Sequence, residues 1–300
     1  MDVDLFLKVI SEGRQMSTLQ ASSLAAATAL LLSVNYIIAP YYYPSIYYHW
    51  PYIGIAVAVS ICMFCLATIR SVGLTGHMVY TRLLLCLLIL AYAIHQYEEN
   101  GVDLKDRKFA FTPFSNEMFD TFLPLFKCHD VKSCAFNAYN VMAYNTIGIW
   151  LPLMALPFLF VTYPLYALFV GGLTLVNAIG HVCACILTGT YSPGVASSLV
   201  LVTPVAILCS HRVIRYMYHG EILLWFIVIL AGVWSHSCIA VLVLLVDMMG
   251  WLPREVWPLF TLFFLVVMPI TFAKVVGYKL DELNAKRSRN PVEFREHVVV

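Results

Sequence analysis

Long apolar stretches separated by short polar segments fill most of the chain from residue 21 onwards. A stretch of about 20 apolar residues is long enough to cross the hydrocarbon core of a bilayer as a helix. Proline, glycine and charged residues mark the ends of most stretches, as expected where helices stop near a membrane surface. The pattern predicts eight membrane helices, at about residues 21–39, 52–68, 79–98, 145–160, 166–187, 195–209, 222–245 and 258–275.

These helices predict an all-α fold, a polytopic membrane helix bundle spanning residues 21–275. Residues 1–20 carry several charges and lack the uninterrupted apolar core and cleavage site of a secretory signal, so the first helix would act as the targeting signal. Residues 101–144 form the one long polar loop, and residues 276–300 form a basic tail.

The long loop has two features of its own. Apolar positions between Phe119 and Phe126 recur at helical spacing, which suits a short interfacial helix covering the bundle, whereas Pro124 interrupts the pattern and suits a simple loop. Cys128 and Cys134 lie among polar residues, and they could close a disulfide if the loop faces an oxidising compartment.

Composition supports the membrane prediction and narrows the partners. The chain is 61% hydrophobic and 12% charged, with a mean hydropathy of +0.81, which exceeds the apolar fraction of soluble domains. The formal net charge is +1, and no basic patch with interleaved aromatic residues occurs, so nucleic acid is not an expected partner. Membrane lipids are the expected surroundings.

The distribution of positive charge predicts an orientation. With eight membrane helices both termini lie on one side, and that side holds twelve of the 18 lysine and arginine residues. Cytoplasmic segments of membrane proteins carry an excess of these residues. We therefore expect both termini to be cytoplasmic and the long loop to be lumenal or external, in the plasma membrane or an endomembrane such as the endoplasmic reticulum.

Ionisable residues end the third predicted helix. His95, Glu98 and Glu99 fall within an arc of roughly 100° on that helix. Ionisable groups next to hydrocarbon are costly and usually face a bundle interior or a wet cavity, where they mark a functional site. The alternative is that both glutamates are solvated just beyond the membrane and that His95 is an interfacial anchor.

A second polar stripe lies on the fifth predicted helix, where Asn177, His181 and Cys185 recur every four residues on one face. The third and fifth helices run in the same direction, so His181 and His95 have similar depth, and we expect the two stripes to converge. The alternative is a packing role, with Asn177 in an interhelical hydrogen bond and His181 as a core residue.

Two imidazoles and two carboxylates are the ligands that Zn, Fe or Mn take in proteins, and Zn is our first choice. We expect His95, Glu99 and His181 to bind one divalent metal. Glu98 is expected as a further ligand or a catalytic base, and Asn177 as the residue that orients His181.

His236 of the seventh predicted helix is a weaker candidate. It could be a further ligand or a proton relay of the site, although a histidine inside a membrane bundle more often hydrogen-bonds to its own or a neighbouring helix.

Three motifs in this region together resemble the HXXEE family of integral membrane proteins, over roughly residues 79–194. They are His95-Gln96-Tyr97-Glu98-Glu99, the further histidine His181, and Tyr191-Ser192-Pro193-Gly194. The resemblance implies a shared site and names no substrate, because the family has no assigned reaction. We expect Tyr191 to lie near this site and Gly194 to allow positive φ in a turn over it.

The predicted site leaves three classes of function open. The first is a membrane-embedded, metal-dependent hydrolase or oxidoreductase acting on a lipid-like substrate, with His95, Glu98 and Glu99 as the catalytic candidates. The second is a metal-free isomerase or cyclase of the sterol or terpenoid type, in which a carboxylic acid and a second group exchange protons with the substrate. The third is an ion- or proton-coupled transporter.

Overall fold

The computed structural model describes residues 16–68, 76–126, 128, 134–218 and 221–289, and their side chains except those of residues 124, 281 and 283–289. The predictions for residues 1–15 and 290–300 lie outside the described residues. The main helices are α1 (Thr18–Tyr42), α2 (Ile46–Ala67), α3 (Gly76–Asn100), α4 (Phe111–Phe122), α5 (Ala138–Leu159), α6 (Pro164–Thr188), α7 (Val195–Met217), α8 (Leu224–Met248) and α9 (Val256–Leu280).

All of these helices except α4 are long and apolar enough to cross a membrane, so the predicted number of eight is confirmed for the described part of the chain. No strand forms within that part, and the fold is an all-α polytopic bundle. The chain is therefore an integral membrane protein. We call the end of the bundle that carries residues 101–137 the loop end.

Four helix ends differ from the prediction by five residues or more: α2 begins at Ile46 and not near residue 52, α7 ends at Met217 and not near residue 209, and the other two belong to α5 and to the last helix. Helix α5 begins at Ala138 and not near residue 145, because Asn137 caps it: the Asn137 side chain accepts hydrogen bonds from the backbone N–H groups of Tyr139 and Asn140. The polar loop therefore ends at Asn137 and not at residue 144. The last helix does not end near residue 275. It continues beyond the membrane-crossing part given above as α9 and reaches Arg289, so the first part of the basic tail is helical.

Helix α6 lies at the centre of the bundle and packs closely against α8. A Cβ atom on Gly172 would lie 1.9 Å from the Val228 carbonyl oxygen, and one on Gly232 would lie 2.4 Å from the Gly172 carbonyl oxygen. The two backbones therefore touch, which is how small residues hold membrane helices together in the absence of a hydrophobic driving force. This contact fixes the position of α6 and of the residues that it presents at the loop end.

A buried carboxylate joins three helices at the loop end. Asp247 of α8 accepts hydrogen bonds from the side-chain nitrogens of Asn137 (2.8 Å), Asn140 (3.0 Å) and Trp257 (2.9 Å). Because an unpaired buried charge would cost several kcal/mol, these three donors make the burial of Asp247 possible. The network ties the start of α5 and the start of α9 to the end of α8.

The loop contains a short helix, but it lies earlier in the chain than the apolar pattern between Phe119 and Phe126 predicted. Helix α4 ends at Phe122, ahead of Pro124, and a single turn of 3₁₀ helix follows at Pro124–Phe126. Cys128 and Cys134 form a disulfide, and the Cys128 backbone N–H donates to the Asp120 carboxylate. These contacts hold α4 against the loop end.

We expect Gly172→Ala to destabilise the bundle, because the new methyl group would overlap the α8 backbone; overpacking of this kind costs about 1–3 kcal/mol. Gly180→Ala on the same helix is the matched control, since a Cβ there would meet no atom within 4 Å. Thermal unfolding of the detergent-purified protein should show a lower midpoint for Gly172→Ala alone. Equal midpoints for both variants would contradict the close contact of α6 and α8.

Candidate metal centre

The polar residues at the end of α3 are buried and not solvated. His95 is 0% exposed, Glu98 6% and Glu99 3%. Helix α3 reaches Asn100 at the loop end, where the neighbouring helices and the residues before α7 enclose these three side chains. The alternative of two solvated glutamates beyond the membrane does not hold, and each buried group must find a polar partner.

Glu99 joins the two histidines at one point. Its Oε1 atom lies 2.7 Å from His181 Nε2 and 3.4 Å from His95 Nε2. One ligand atom from each of these three residues lies within 4.8 Å of the other two. The stripes of α3 and α6 therefore converge as expected, and they bring two imidazole nitrogens and one carboxylate oxygen together.

The Nδ1 atom of each imidazole, which we call its outer nitrogen, has its own hydrogen-bond partner. His95 Nδ1 lies 3.1 Å from the Gly194 carbonyl oxygen, and His181 Nδ1 lies 3.3 Å from Ser192 Oγ. A carbonyl oxygen accepts only, so His95 donates from Nδ1, and its Nε2 atom faces Glu99 and Asn177. An imidazole held by its outer nitrogen is the usual arrangement around a metal ligand.

Asn177 lies beside this group on α6. Its amide Oδ1 atom is 2.8 Å from His95 Nε2, so Asn177 contacts His95 and not His181, which was the partner expected from the sequence. The two residues are four positions apart on α6, but Asn177 points across to α3. It therefore adds a fourth polar atom to the group from the side facing the bundle centre.

Glu98 has a different place from the one expected. Its carboxylate accepts a hydrogen bond from Tyr191 Oη and further ones from the backbone N–H groups of Ala196 (3.3 Å) and Ser197 (2.8 Å). These N–H groups belong to the first turn of α7, which attracts negative charge. Glu98 is not part of the group formed by His95, Glu99 and His181. It anchors the segment that precedes α7.

That segment is the Tyr191-Ser192-Pro193-Gly194 motif, which we call the YSPG turn. Tyr191 binds Glu98, Ser192 binds His181, and the Gly194 carbonyl accepts from His95. Ser192 occupies the variable position of the motif and was not expected among the site residues. The turn therefore forms hydrogen bonds with three of the ionisable residues that the sequence singled out on α3 and α6.

Gly194 is required twice at its position. Its φ of +89° lies in the left-handed region that favours glycine. A Cβ atom there would lie 2.8 Å from Glu99 Cγ, 2.8 Å from His95 Cε1 and 3.2 Å from His181 Cε1. The glycine thus lets the turn lie directly on the three converging side chains.

Tyr191 links the site to the loop. Its ring lies beneath the cationic groups of Lys105 (5.4 Å) and Arg107 (5.8 Å), and burial together with its hydrogen bond to Glu98 raises the pKa of its hydroxyl. Burial opposes the ionisation of Asp103, but hydrogen bonds from Arg107 and the Lys105 backbone lower the pKa of this carboxyl below its ordinary value. The loop is thus held in one conformation above the turn.

An aromatic ring from α4 covers the group. Phe111 lies with its ring centroid 5.9 Å from that of His181. This contact was not predicted, because the expected interfacial helix was centred on later positions of the loop. Phe111 separates His181 from the space above α4.

His236 lies apart from the three converging residues. Its Nδ1 atom is 2.8 Å from the carbonyl oxygen of Gly232, one turn earlier on α8. It does not belong to the group formed by His95, Glu99 and His181. This is the hydrogen bond within the bundle that the alternative interpretation of His236 predicted.

Comparison with known proteins bears on the same segment. A family model described as "Protein of unknown function with HXXEE motif" matches residues 86–209. The match confirms the resemblance to the HXXEE family, and it includes α3 from Cys86, the whole of α6 and the YSPG turn. No curated protein and no solved structure matches the chain.

We expect Gly194→Ala to disrupt the site, because the new methyl group would meet His95, Glu99 and His181. Gly189→Ala is the matched control: Gly189 also has a positive φ, of +63°, but a Cβ there would meet no atom within 4 Å. Both variants incur the strain of a left-handed residue, about 1–2 kcal/mol. Gly194→Ala should lower the unfolding midpoint clearly further. Equal midpoints would contradict the contact between the turn and the three side chains.

Proposed function

We propose that this chain, which resembles the HXXEE family in the segment that holds these residues, is a membrane-embedded, metal-dependent enzyme. His95, Glu99 and His181 bind one divalent metal, with Zn as the first choice and Fe or Mn as cations suited to the same ligands. The observation that carries the proposal is the convergence of His95 Nε2, His181 Nε2 and Glu99 Oε1 within 4.8 Å, with the outer nitrogen of each imidazole already engaged.

The chemistry of the ligand set supports this proposal. Two imidazoles and one carboxylate bind metal in zinc hydrolases and in non-haem iron oxygenases, and both leave a position open for water or substrate. Hydrogen bonds to the YSPG turn already hold His95 and His181 beside Glu99, so these ligand residues need little rearrangement to accept a cation. A cation would also interact favourably with the carboxylate of Glu99, which is buried beside the two imidazoles.

Hydrolysis of a lipid-like substrate is the reaction that we favour. A divalent metal bound here would polarise a carbonyl or phosphoryl oxygen and lower the pKa of water. His95, His181 and Glu99 hold their positions through Gly194, Ser192 and the end of α3. Phe111 and the YSPG turn keep bulk water away from the group.

The residue that takes up a proton is not Glu98 in this proposal. Three hydrogen-bond donors already engage its carboxylate and fix it on α7. Glu99 has a second oxygen, Oε2, whose one hydrogen-bond donor among the described residues is the Asn100 side chain at 3.3 Å. This oxygen retains the capacity to accept a proton from a nucleophile.

One observation favours a metal-free alternative. Glu99 Oε1 and His181 Nε2 lie 2.7 Å apart, which is a direct hydrogen bond or ion pair if one of the two groups carries the proton. Such a pair could exchange protons with an alkene, as an isomerase or cyclase requires. Metal content separates the two candidates.

Elemental analysis of the detergent-purified protein, equilibrated with zinc and then desalted, should find about one metal per chain. His95→Ala and His181→Ala should lose it, because two protein ligands do not hold a divalent cation tightly. His211→Ala is the control, since His211 is an exposed residue of α7. Ser192→Ala should keep the fold and weaken zinc binding about 10- to 100-fold, as the loss of an outer hydrogen bond does elsewhere.

A well-folded wild type that takes up no zinc, iron or manganese would contradict the metal centre and favour proton exchange between Glu99 and His181. Equal metal loss in His211→Ala would show that the effect is not specific to the proposed ligands.

We further propose that both termini are cytoplasmic and that the loop end is lumenal or external. The charge distribution supports this orientation, and so does the Cys128–Cys134 disulfide, because disulfides persist in oxidising compartments. An acceptor site for N-glycosylation introduced next to residue 128 should be glycosylated in cells, and one introduced at the N-terminus should not. The reverse pattern would contradict the orientation.

A further inference from the structure

A cavity of about 510 Å³ lies above the candidate metal centre, between the loop, α4 and the end of α6. We call it the vestibule. Its walls come from three parts of the chain. They are the loop, with Arg107, Lys108 and Ala110, one side of α4 between Pro113 and Phe122, and the end of α6 with the residues just after it. A cavity of this size holds a small organic molecule or the head of a lipid.

The charges of the vestibule favour an anion. Arg107 forms an ion pair with Asp103 through Nε (2.8 Å) and Nη2 (2.7 Å), which leaves the N–H groups of Nη1 for another acceptor. Lys108 is exposed and forms no ion pair with any carboxylate of the described residues. A guanidinium beside an ammonium is a common pair for binding phosphate oxygens. Glu117 is the one acidic residue among the lining side chains.

The wall formed by α4 carries three apolar side chains beside Glu117 and Thr121. Phe114, Met118 and Phe122 come from one side of α4, and 44% of the Phe122 surface is exposed. Free phosphate would gain nothing from this wall. A molecule with an anionic head and a hydrocarbon chain fits both walls, because its chain can cover the apolar side of α4.

The vestibule borders the segment that covers the candidate metal centre. Ala110 lines the vestibule, and the next residue, Phe111, packs on the ring of His181. Thr188 lies two turns beyond His181 on α6, which is a rise of about 10 Å. Ala110 and Phe111 therefore connect the wall of the vestibule with the ring of His181.

We propose that the vestibule binds the phosphate head of a phosphate-bearing lipid and that this lipid class is the substrate of the centre below. The claim that this lipid is a substrate rests on the proposed function, whereas the claim that it binds in the vestibule does not. Lys108 and Arg107 bind the phosphate, α4 carries the hydrocarbon chain, and movement of Phe111 admits the reacting bond to His95, Glu99 and His181.

The test is the affinity of the full chain, purified in a non-ionic detergent, for dihexanoyl phosphatidic acid, measured by isothermal titration calorimetry. Lys108→Gln should weaken binding about 5- to 20-fold through the loss of one charge-assisted contact. Glu117→Gln should tighten it about 2- to 5-fold, because a repelling carboxylate is removed. Lys274→Gln, the same charge change outside the vestibule, should leave it unchanged.

Two probes separate the lipid from simpler ligands. Dihexanoylglycerol lacks the phosphate, and it should bind wild type and Lys108→Gln equally. Inorganic phosphate at the same concentration should not compete. Equal affinity of wild type and Lys108→Gln for the phosphatidic acid would overturn the proposal, and competition by inorganic phosphate would show an anion site without lipid selectivity and overturn it as well.

Metal content measured on the same preparations keeps the two proposals apart. Lys108→Gln should retain the full metal content of wild type. A wild type that binds the lipid with the predicted charge dependence but takes up no metal would contradict the metal centre and leave the vestibule standing. A metal-loaded wild type that binds no phosphatidic acid would overturn the vestibule alone.

Discussion

The structure depends on the burial of Glu99 inside a membrane bundle. A carboxylate in such surroundings is tolerated only when its charge is balanced and its oxygens have partners. Glu99 meets this requirement with His181 from α6 and His95 from its own helix. Because these partners must lie within about 3 Å, the requirement fixes the rotation and the depth of α3 relative to α6.

The YSPG turn extends the same constraint to a third helix. Its hydrogen bonds to Glu98, His181 and His95 come from the side chains of Tyr191 and Ser192 and from the Gly194 carbonyl. Glu98 in turn binds the first N–H groups of α7. The turn therefore orients the two imidazoles, and Glu98 in turn holds the turn in place. Such mutual support fixes side chains before a ligand arrives, which is what a binding or catalytic site requires.

Much of this arrangement was accessible from the sequence. Apolar length alone predicts eight membrane helices, and the spacing of His95 and Glu99, with His181 at matched depth, predicts their convergence. The role of Glu98 was not accessible, because its partners are backbone N–H groups of α7 and a tyrosine nearly a hundred residues away. The contact of Asn177 with His95 depends on the rotation of α6, which the close approach of Gly172 to α8 determines. The early start of α5 follows from the cap formed by Asn137 and Asn140. The polar residues in its first two turns interrupt the apolar pattern, so apolar length alone does not predict this start.

The most direct test of the central claim, that His95, Glu99 and His181 bind one metal ion, is X-ray absorption spectroscopy at the zinc edge of the zinc-loaded protein. The account predicts a first shell of nitrogen and oxygen atoms at about 2.0–2.1 Å with the outer-ring scattering of two imidazoles. In His181→Ala that is reloaded with excess zinc, the imidazole contribution should fall to one. A first shell with sulfur at about 2.3 Å would mean that cysteine binds the metal, and wild-type spectra without imidazole scattering would likewise contradict the account.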